Sequence, residues 1–326
     1  MFARTILLLG VVILPGSGLA QTSSPPLVLE TKIPLGEVSG RIDHLGVDLP
    51  RRRLFVAELG NDSLGVVDLA AGKVLRRITG MSEPQGVGYV PSADSVYVAN
   101  GGDGSVRVLR GEDLTPAGRV ELRNDADNVR VDTRRVLVGY GKGALAVIDP
   151  ANRAKVADIR LRAHPEGFQI DETGTQVFVN VPDAREIEVA DLASQASRSL
   201  PTQGARSNFP MAIDGDAHRV LVAFRSPPSL TVLSSQDGRI VAKIETCGDA
   251  DDVFVDPKRH HLYVSCGEGV VDVLEQQGTE YRRLARVPTV PGARTSLFVP
   301  ELDRLFVAVR ASSGAPAAIW VFRPAP

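Results

Sequence analysis

The segment Ser95-Val-Tyr-Val-Ala-Asn100, followed by Gly104-Ser-Val-Arg-Val108, decides the fold of this 326-residue chain. It combines a strand-forming run, a turn rich in glycine, asparagine and aspartate, and a second strand-forming run. The same pattern recurs along the chain, each time after an apolar strand that often ends in aspartate. The aligned residues that end these first strands are Asp48, Val90, Asp132, Asp171, Asp214, Asp256 and Pro300, with spacings of 42, 42, 39, 43, 42 and 44 residues.

Seven copies at nearly constant spacing predict a repeat architecture. Each copy holds four short strands, which in the first unit are expected at residues 44–48, 53–58, 63–68 and 74–78. Four-stranded units of about 40–45 residues are typical of the blades of a β-propeller, which surround a central channel. The sequence therefore predicts an all-β fold, a seven-bladed β-propeller of four-stranded antiparallel blades.

The seventh unit supplies one strand fewer than the others. Its inner strands are expected near Ser296 and Leu305 and its third strand at residues 318–322. Ahead of the first unit, the run Leu27-Val-Leu-Glu-Thr-Lys-Ile-Pro34 has strand character and no partner. We expect this N-terminal strand to join the last blade, which closes the ring and covers an exposed edge. Residues 27–326 are then a single propeller domain.

The first 20 residues have the features of an export signal. Arg4 precedes an apolar run from Ile6 to Leu14, and the small residues Gly18 and Ala20 suit cleavage after Ala20. The apolar run is shorter than the ~20 residues that a membrane-spanning helix needs, so we expect no transmembrane anchor. We expect a signal peptide at residues 1–20, a flexible lead-in at residues 21–26, and a periplasmic or secreted protein.

The composition excludes several classes of function. The chain has 37 lysines and arginines against 39 aspartates and glutamates, a net charge of −2. It therefore has no global basic field for nucleic acid or an anionic membrane, and we expect no nucleic-acid partner. Two cysteines are too few for a disulfide-dense scaffold or a multi-cysteine zinc domain. We expect the protein to be a monomer.

The two cysteines fall in the sixth unit. Cys247 precedes its inner strand and Cys266 ends its second strand, so both sulfurs are expected on one face. In an oxidising compartment they would form a disulfide that closes a loop of about 20 residues, worth about 3 kcal/mol. A buried pair of free thiols, and joint metal ligation with Asp249 or Asp251, are the alternatives.

These repeats resemble the YVTN-repeat β-propeller family, whose members are mostly exported prokaryotic seven-bladed propellers. The closest local matches are Ser95-Val-Tyr-Val-Ala-Asn100 with Gly104-Ser-Val-Arg-Val108, and Arg53-Leu-Phe-Val-Ala57 with Leu64-Gly-Val-Val-Asp68. The resemblance covers roughly residues 27–322 and implies a role in binding ligands, proteins or surfaces. Some related propellers are hydrolases or lactonases with a metal in the channel mouth. This chain departs from the family where the inner strands begin, because several units carry acids there instead of proline and glycine.

Acids collect in the loops before the inner strands, and these loops meet at one mouth of a propeller channel. Five residues before the repeated marker the units have Asp43, Gln85, Asp127, Glu166, Phe209, Asp251 and Thr295. Two residues earlier they have Arg41, Glu83, Asp125, His164, Ser207, Asp249 and Ala293. Residues two apart share a side of an extended strand, so we expect both sets to face the mouth.

Carboxylates gathered at a narrow opening repel one another unless a cation joins them or some are protonated. The predicted ligand-binding residues are Asp43, His44, Glu83, Asp125, Asp127, His164, Glu166, Arg225, Asp251 and Arg294. The predicted metal ligands among them are Asp127, His164, Glu166 and Asp251. Oxygen donors favour Ca²⁺, and the His164 nitrogen makes Zn²⁺ or Mn²⁺ an alternative. The alternative is a structural role, in which these acids accept hydrogen bonds from the backbone of their own turns or are simply solvated.

The sequence therefore predicts an exported propeller that binds a small ligand, a cation or a protein partner at an acidic channel mouth. The alternative is a metal-dependent hydrolase or lactonase, with Glu166 or Asp251 as base and Arg294 to polarise a carbonyl. Basic turns around Arg51, Arg134 and Arg259 lie on the opposite face. They are either solvated turns or a docking site for an anionic partner.

Overall fold

The computed structural model of the chain describes residues 1 and 25–325. Its strands form seven four-stranded antiparallel sheets, arranged in a ring as the blades of a β-propeller. The predicted fold class is confirmed. The predicted signal segment and most of the predicted lead-in lie outside the described residues. Within the described ranges, no helix has the length and apolar character needed to cross a membrane.

Six blades take four consecutive strands each, and the strands pair in chain order. After β1 (Leu27–Gly36), blade 1 comprises β2 (Leu45–Asp48), β3 (Arg53–Glu58), β4 (Ser63–Asp68) and β5 (Lys73–Thr79). Blades 2 and 3 comprise β6 (Pro84–Val90), β7 (Ser95–Asn100), β8 (Ser105–Arg110), β9 (Pro116–Glu121), β10 (Ala126–Val131), β11 (Val136–Tyr140), β12 (Ala144–Asp149) and β13 (Ala154–Arg160). Blades 4 to 6 comprise β14 (Phe168–Ile170), β15 (Gln176–Val181), β16 (Glu186–Asp191), β17 (Ser197–Pro201), β18 (Arg206–Asp214), β19 (Arg219–Ser226), β20 (Pro228–Ser234), β21 (Ile240–Glu245), β22 (Ala250–Asp256), β23 (His261–Cys266), β24 (Val270–Gln277) and β25 (Glu280–Pro288). Short 3₁₀ turns lie at Leu59–Asn61, Pro91–Ala93, Pro182–Ala184 and Pro300–Leu302.

Blade 7 draws on both ends of the described chain. It consists of β26 (Ser296–Val299), β27 (Arg304–Val309) and β28 (Ala317–Pro324), and β1 pairs antiparallel with β28 as its outer strand. The predicted closure of the ring is confirmed. Ile33 and Leu35 of β1 are buried in one cluster with Leu54 of blade 1 and Phe306 of blade 7. The N-terminal strand thus covers the edge of the last blade and seals its junction with the first.

The position of a strand within its blade decides how it is buried. Second strands such as β3 and β7 lie between neighbouring blades, and almost all of their residues are buried. Such strands need apolar side chains on both faces, which explains runs such as Leu54-Phe-Val56. Outer strands such as β5 have only exposed and half-buried residues, because solvent covers their outer edge.

The inner strands approach one another closely around the channel. At Gly86 of β6, a Cβ atom would lie 2.3 Å from the carbonyl oxygen of Asp127 in the next blade. At Gly167, just before β14, a Cβ atom would lie 2.3 Å from the carbonyl oxygen of Phe209. No side chain fits at either position, so these glycines allow the spacing that brings the acids of neighbouring blades together.

The basic turns on the face opposite the acidic mouth connect neighbouring blades. Both Nη atoms of Arg51 donate to the Asp94 carboxylate at 2.8 Å, which joins blade 1 to blade 2. Arg259 donates in the same two-pronged way to Asp303 at 2.6 and 2.8 Å, which joins blade 6 to blade 7. Such bidentate pairs are geometrically specific, so these arginines act as contacts between blades. Neither of the alternatives predicted for these turns, solvated side chains or a docking site for an anionic partner, includes such contacts between blades.

Replacing Ile33 with alanine tests whether β1 holds the ring together. We expect Ile33→Ala to lower the free energy of unfolding by about 2–5 kcal/mol, because it opens a cavity between the last and first blades. Leu29→Ala is the control, since Leu29 lies on the same strand but is 40% exposed; it should cost about 1 kcal/mol or less.

The single tryptophan provides the readout for this comparison. Trp320 lies opposite Lys32 of β1, whose Nζ is 3.9 Å from the centre of the indole ring. Tryptophan fluorescence during urea unfolding therefore reports on the β1–β28 junction. Equal losses of stability in the two variants would contradict the closing role of β1.

Candidate metal and ligand site at the channel mouth

The loops before the inner strands surround a cavity of about 250 Å³ at one mouth of the channel. Its lining residues are Arg41, Asp43, His44, Gln85, Asp125, Asp127, His164, Glu166, Phe209, Arg225, Asp251 and Arg294. All of the predicted ligand-binding residues except Glu83 are among them. A cavity slightly smaller than the usual range of about 300–1,000 Å³ for ligand pockets suits a small molecule or an ion.

Glu83 lies outside the cavity because the backbone turns there. Its φ angle is +50°, so the chain leaves the extended path that would place Glu83 on the side of Gln85. Ser207 and Asp249, at the corresponding positions of blades 5 and 6, also have positive φ angles and do not line the cavity. The members of the same set that keep φ negative and line the cavity are Arg41, Asp125 and His164. The expectation that residues two apart share a side therefore fails for Glu83.

Blades 3 and 4 bring three candidate metal ligands together. Asp127 belongs to β10, and His164 and Glu166 lie in the loop before β14. Each residue offers one donor atom, and these atoms all lie within 4.8 Å of one another. His164 Nε2 is 3.7 Å from Asp127 Oδ2. Two ligands of one ion are at most about 4.6 Å apart at metal–ligand distances of about 2.0–2.3 Å, so small side-chain shifts would let one ion contact all three side chains.

The orientation of His164 turns its Nε2 atom toward the carboxylates. Nδ1 is 2.6 Å from the carbonyl oxygen of Gly141, which can only accept a hydrogen bond, so Nδ1 carries the hydrogen. In the neutral ring Nε2 then holds the free lone pair. Metal-ligating histidines are commonly oriented by such a bond from the other ring nitrogen. One nitrogen and two carboxylates suit Mn²⁺ or Zn²⁺ better than Ca²⁺, which prefers oxygen ligands.

The crowding at this cluster shows in the pKa values of Glu166 and His164. Burial raises the pKa of Glu166 to about 8, and the negative charge of Asp127 adds to the rise. Burial lowers the pKa of His164, but Asp127 and the bond to Gly141 outweigh it and raise this pKa to about 9. A divalent cation would relieve the repulsion between the carboxylates and would displace the proton from Nε2.

Asp251, the fourth predicted metal ligand, pairs with two arginines instead. Arg225 Nη2 donates to Asp251 Oδ1, and Arg294 Nε lies 2.9 Å from Asp251 Oδ2. Both arginines also contact Asp249, with Arg225 Nε and Arg294 Nη1 at 3.1 and 2.9 Å from its carboxylate. Arg225 stacks on Phe209, its guanidinium carbon 3.8 Å from the ring centre. The two guanidinium groups thus neutralise the two carboxylates. Asp251 does not join the cluster of Asp127, His164 and Glu166.

A disulfide fixes the loop that carries Asp249. Cys247 and Cys266 are bonded, with their Cα atoms 5.9 Å apart. The Cys247 amide also donates to the buried Asp272 carboxylate at 2.8 Å. Of the arrangements considered for the two cysteines, the structure has the disulfide. The bridge positions Asp249, and through it the two arginines that hold Asp251.

Below the mouth, the channel places the predicted residue His44 beside two charged residues that the repeat pattern did not indicate, Asp252 and Arg130. His44 lies between two acids, with Nε2 at 4.0 Å from Asp43 Oδ1 and Nδ1 at 3.9 Å from Asp252 Oδ1. Asp252 and Arg130 line this inner part of the channel. Simple alternation would turn Asp252 away from Asp251, but a bulge in β22 brings both into the channel lining. The sequence pattern carries no signal for this bulge.

No model of a known protein family matches the chain, and no curated protein matches it. The resemblance to the YVTN-repeat propellers therefore stays a prediction. Among solved structures, Kuenenia stuttgartiensis hydrazine synthase is similar, with 17% identity, a TM-score of 0.75, and 94% of this chain and 99% of that chain covered. A chain of the mitotic checkpoint complex is 12% identical, with a TM-score of 0.81 and 99% of both chains covered. The RRP9 WD40 repeats are 11% identical, with a TM-score of 0.77, and the match covers 90% of this chain and 97% of that chain. At these identities the similarity shows the β-propeller fold alone.

The buried acids predict how stability depends on pH. Burial raises the pKa of Asp43 to about 6, of Asp252 to about 7 and of Glu166 to about 8, whereas in an unfolded chain such groups titrate near ~4. Between about pH 5 and 8 the folded state therefore binds more protons than the unfolded state, and the free energy of unfolding falls as pH rises. The raised pKa values of His44 and His164 act in the same direction. We expect protein kept in chelator to melt several degrees lower at about pH 8 than at about pH 5.5.

The variant Asp252→Asn is expected to flatten this profile, because it removes one of the titrating groups. Asp216→Asn is the control, since Asp216 is an exposed acid on the opposite face. Differential scanning calorimetry across this pH range measures both. A melting temperature that rises with pH, or an unchanged profile in Asp252→Asn, would show that these buried acids do not govern the pH dependence.

Proposed function

We propose that this protein is an exported β-propeller that binds a divalent cation at its channel mouth and, through the cation, a small ligand. The cation ligands are Asp127, His164 and Glu166. The observation that carries the proposal is the orientation of His164, whose Nδ1 bonds to Gly141 and whose Nε2 points to the Asp127 carboxylate. A histidine held in this way, with two carboxylates close to its free nitrogen, is the usual arrangement of a metal ligand and its supporting contact.

The geometry leaves room for a ligand on the cation. Three protein donors do not complete the coordination of Zn²⁺ or Mn²⁺, so water or a ligand oxygen takes the remaining positions. The cavity above the three residues is about 250 Å³, and Gln85 and Phe209 supply an amide and an aromatic surface to its wall. These groups suit a small molecule with both polar and apolar parts.

Binding is a better proposal than hydrolysis for this site. Arg294, which a hydrolase would use to polarise a carbonyl, is engaged by Asp249 and Asp251. Asp251, the candidate base, is engaged by Arg225 and Arg294. Glu166 then remains as a cation ligand, which takes its carboxylate away from the role of general base.

Two independent features support export. Residues 1–20 have the charge, apolar run and small residues of a secretory signal. Cys247 and Cys266 are disulfide-bonded, and stable disulfides are typical of oxidising compartments such as the periplasm or the extracellular space.

A matched pair of glutamate variants tests the cation site. Glu166→Gln removes a proposed ligand, whereas Glu83→Gln removes a mouth acid whose side chain lies outside the cavity. We expect Glu166→Gln to weaken binding of Mn²⁺ and Zn²⁺ at least about ten-fold, because a neutral amide is a poor substitute for a carboxylate ligand. Glu83→Gln should bind as the wild-type protein does.

Isothermal titration calorimetry of chelator-stripped protein measures these affinities, with Ca²⁺ as a third titrant. Binding should also release protons, because the pKa of His164 is raised and its Nε2 must lose its proton to bind a metal. The proton release appears as a binding enthalpy that changes with the ionisation enthalpy of the buffer. Equal affinities in the two variants, or no binding of either transition metal by the wild-type protein, would overturn the proposal.

A further inference from the structure

A group of arginines lies on the side of the mouth opposite the proposed cation ligands. Arg41 precedes β2 of blade 1, Arg294 precedes β26 of blade 7, and Arg310 follows β27 of blade 7. Arg41 and Arg294 line the mouth cavity. The guanidinium of Arg310 lies against the loop that leads to Arg294, since a Cβ atom on Gly292 would be 3.9 Å from its Cζ and Nη1. In a ring of seven, the junction of blades 7 and 1 lies opposite blade 4, and the loop that leads into blade 4 carries His164 and Glu166.

The three arginines differ in their counter-charges. Arg41 has Asp43, at 2.9 Å from its Nη2, and Arg294 has Asp249 and Asp251. Arg310 has no carboxylate within the 4.0 Å of a salt bridge among residues 25–325, and its buried Nε has no hydrogen-bond acceptor there.

Arg310 therefore has no direct ion-pair partner in the described part of the protein, although the Asp43 and Asp251 carboxylates partly offset its charge from a distance. Burial lowers the pKa of Arg310, and the positive charges of Arg294 and Arg41 lower it further. The buried Nε of Arg41 likewise has no acceptor among the described residues. Buried donors without acceptors cost about 1–3 kcal/mol each, and more when they are charged. An oxyanion offers several acceptor atoms and a negative charge, so beside these arginines it would accept charge-assisted hydrogen bonds and reduce the repulsion.

We infer that Arg310 and Arg41, beside the Asp-paired Arg294, form a subsite for the carboxylate or phosphate group of a small ligand. This subsite goes beyond the proposed cation site and does not require it. If both are present, the mouth binds a ligand with two ends. The anionic group contacts the arginines of blades 7 and 1, and an oxygen at the other end reaches the cation held by blades 3 and 4.

Titrations with inorganic phosphate and with acetate test the subsite in chelator, so that a failure of the cation site cannot affect the result. Ionic strength is held constant with chloride, and calorimetry measures the affinity. We expect the wild-type protein to bind at least one of the two anions and Arg310→Ala to bind it at least about ten-fold more weakly, the loss of one charge-assisted contact. The anion that binds more tightly shows whether the subsite takes a phosphate or a carboxylate.

Arg239→Ala is the matched control, because Arg239 is a largely exposed arginine on the turn between β20 and β21. It should bind the anions as the wild-type protein does. Arg41→Ala is a second test of the subsite, so that a folding failure of Arg310→Ala leaves the question decidable. Equal affinity in the wild type and in the folded subsite variants, or no binding of either anion by the wild type, would overturn the inference.

Discussion

The close approach of the inner strands around the channel is the constraint on which the rest of the structure depends. At Gly86 and Gly167 the backbone of the next blade leaves no room for a side chain. With the strands this close, the residues that precede them meet around one opening. Charged groups from separate blades are thereby brought within a few ångströms of one another. Burial, and after it the nearby Asp127 carboxylate, raises the pKa of Glu166. The four-residue cluster of Asp249, Asp251 and two arginines also forms at this opening.

The repulsion between the charged side chains at the mouth is relieved in different ways around the ring. In blades 5 to 7, Arg225 and Arg294 neutralise Asp249 and Asp251, and the disulfide at Cys247 holds that cluster in place. In blades 3 and 4, two carboxylates and a histidine lie together, and no arginine among residues 25–325 forms a salt bridge with any of the three. At the junction of blades 7 and 1, arginine is in excess. A mouth with an acidic side and a basic side is suited to binding a cation and an anionic group at once.

The fold could be predicted from the sequence because its cause is local and repeated. Second strands are buried on both faces, so an apolar run such as Leu54-Phe-Val56 must recur in every blade. The mouth residues were mostly predictable for the same reason, since each precedes an inner strand at a fixed offset. Glu83 does not line the cavity, because a single positive φ angle turns it away. No residue pattern marked that angle.

Side-chain pairing was harder to predict than backbone placement. Asp251 stands at the same offset as Asp127, yet it bonds to Arg225 and Arg294 from neighbouring blades. Which acid meets an arginine depends on side-chain reach across blades, and a repeat alignment contains no such information. Asp252 enters the channel only through a bulge.

The central claim is that Asp127, His164 and Glu166 hold a divalent cation. The most direct test is an anomalous difference map from crystals of the protein grown without chelator and soaked in Mn²⁺ or Zn²⁺. The account predicts one strong peak about 2.0–2.3 Å from His164 Nε2 and from an oxygen of each carboxylate. The absence of a peak there, or a peak bound to Asp251 in place of these three residues, would contradict it.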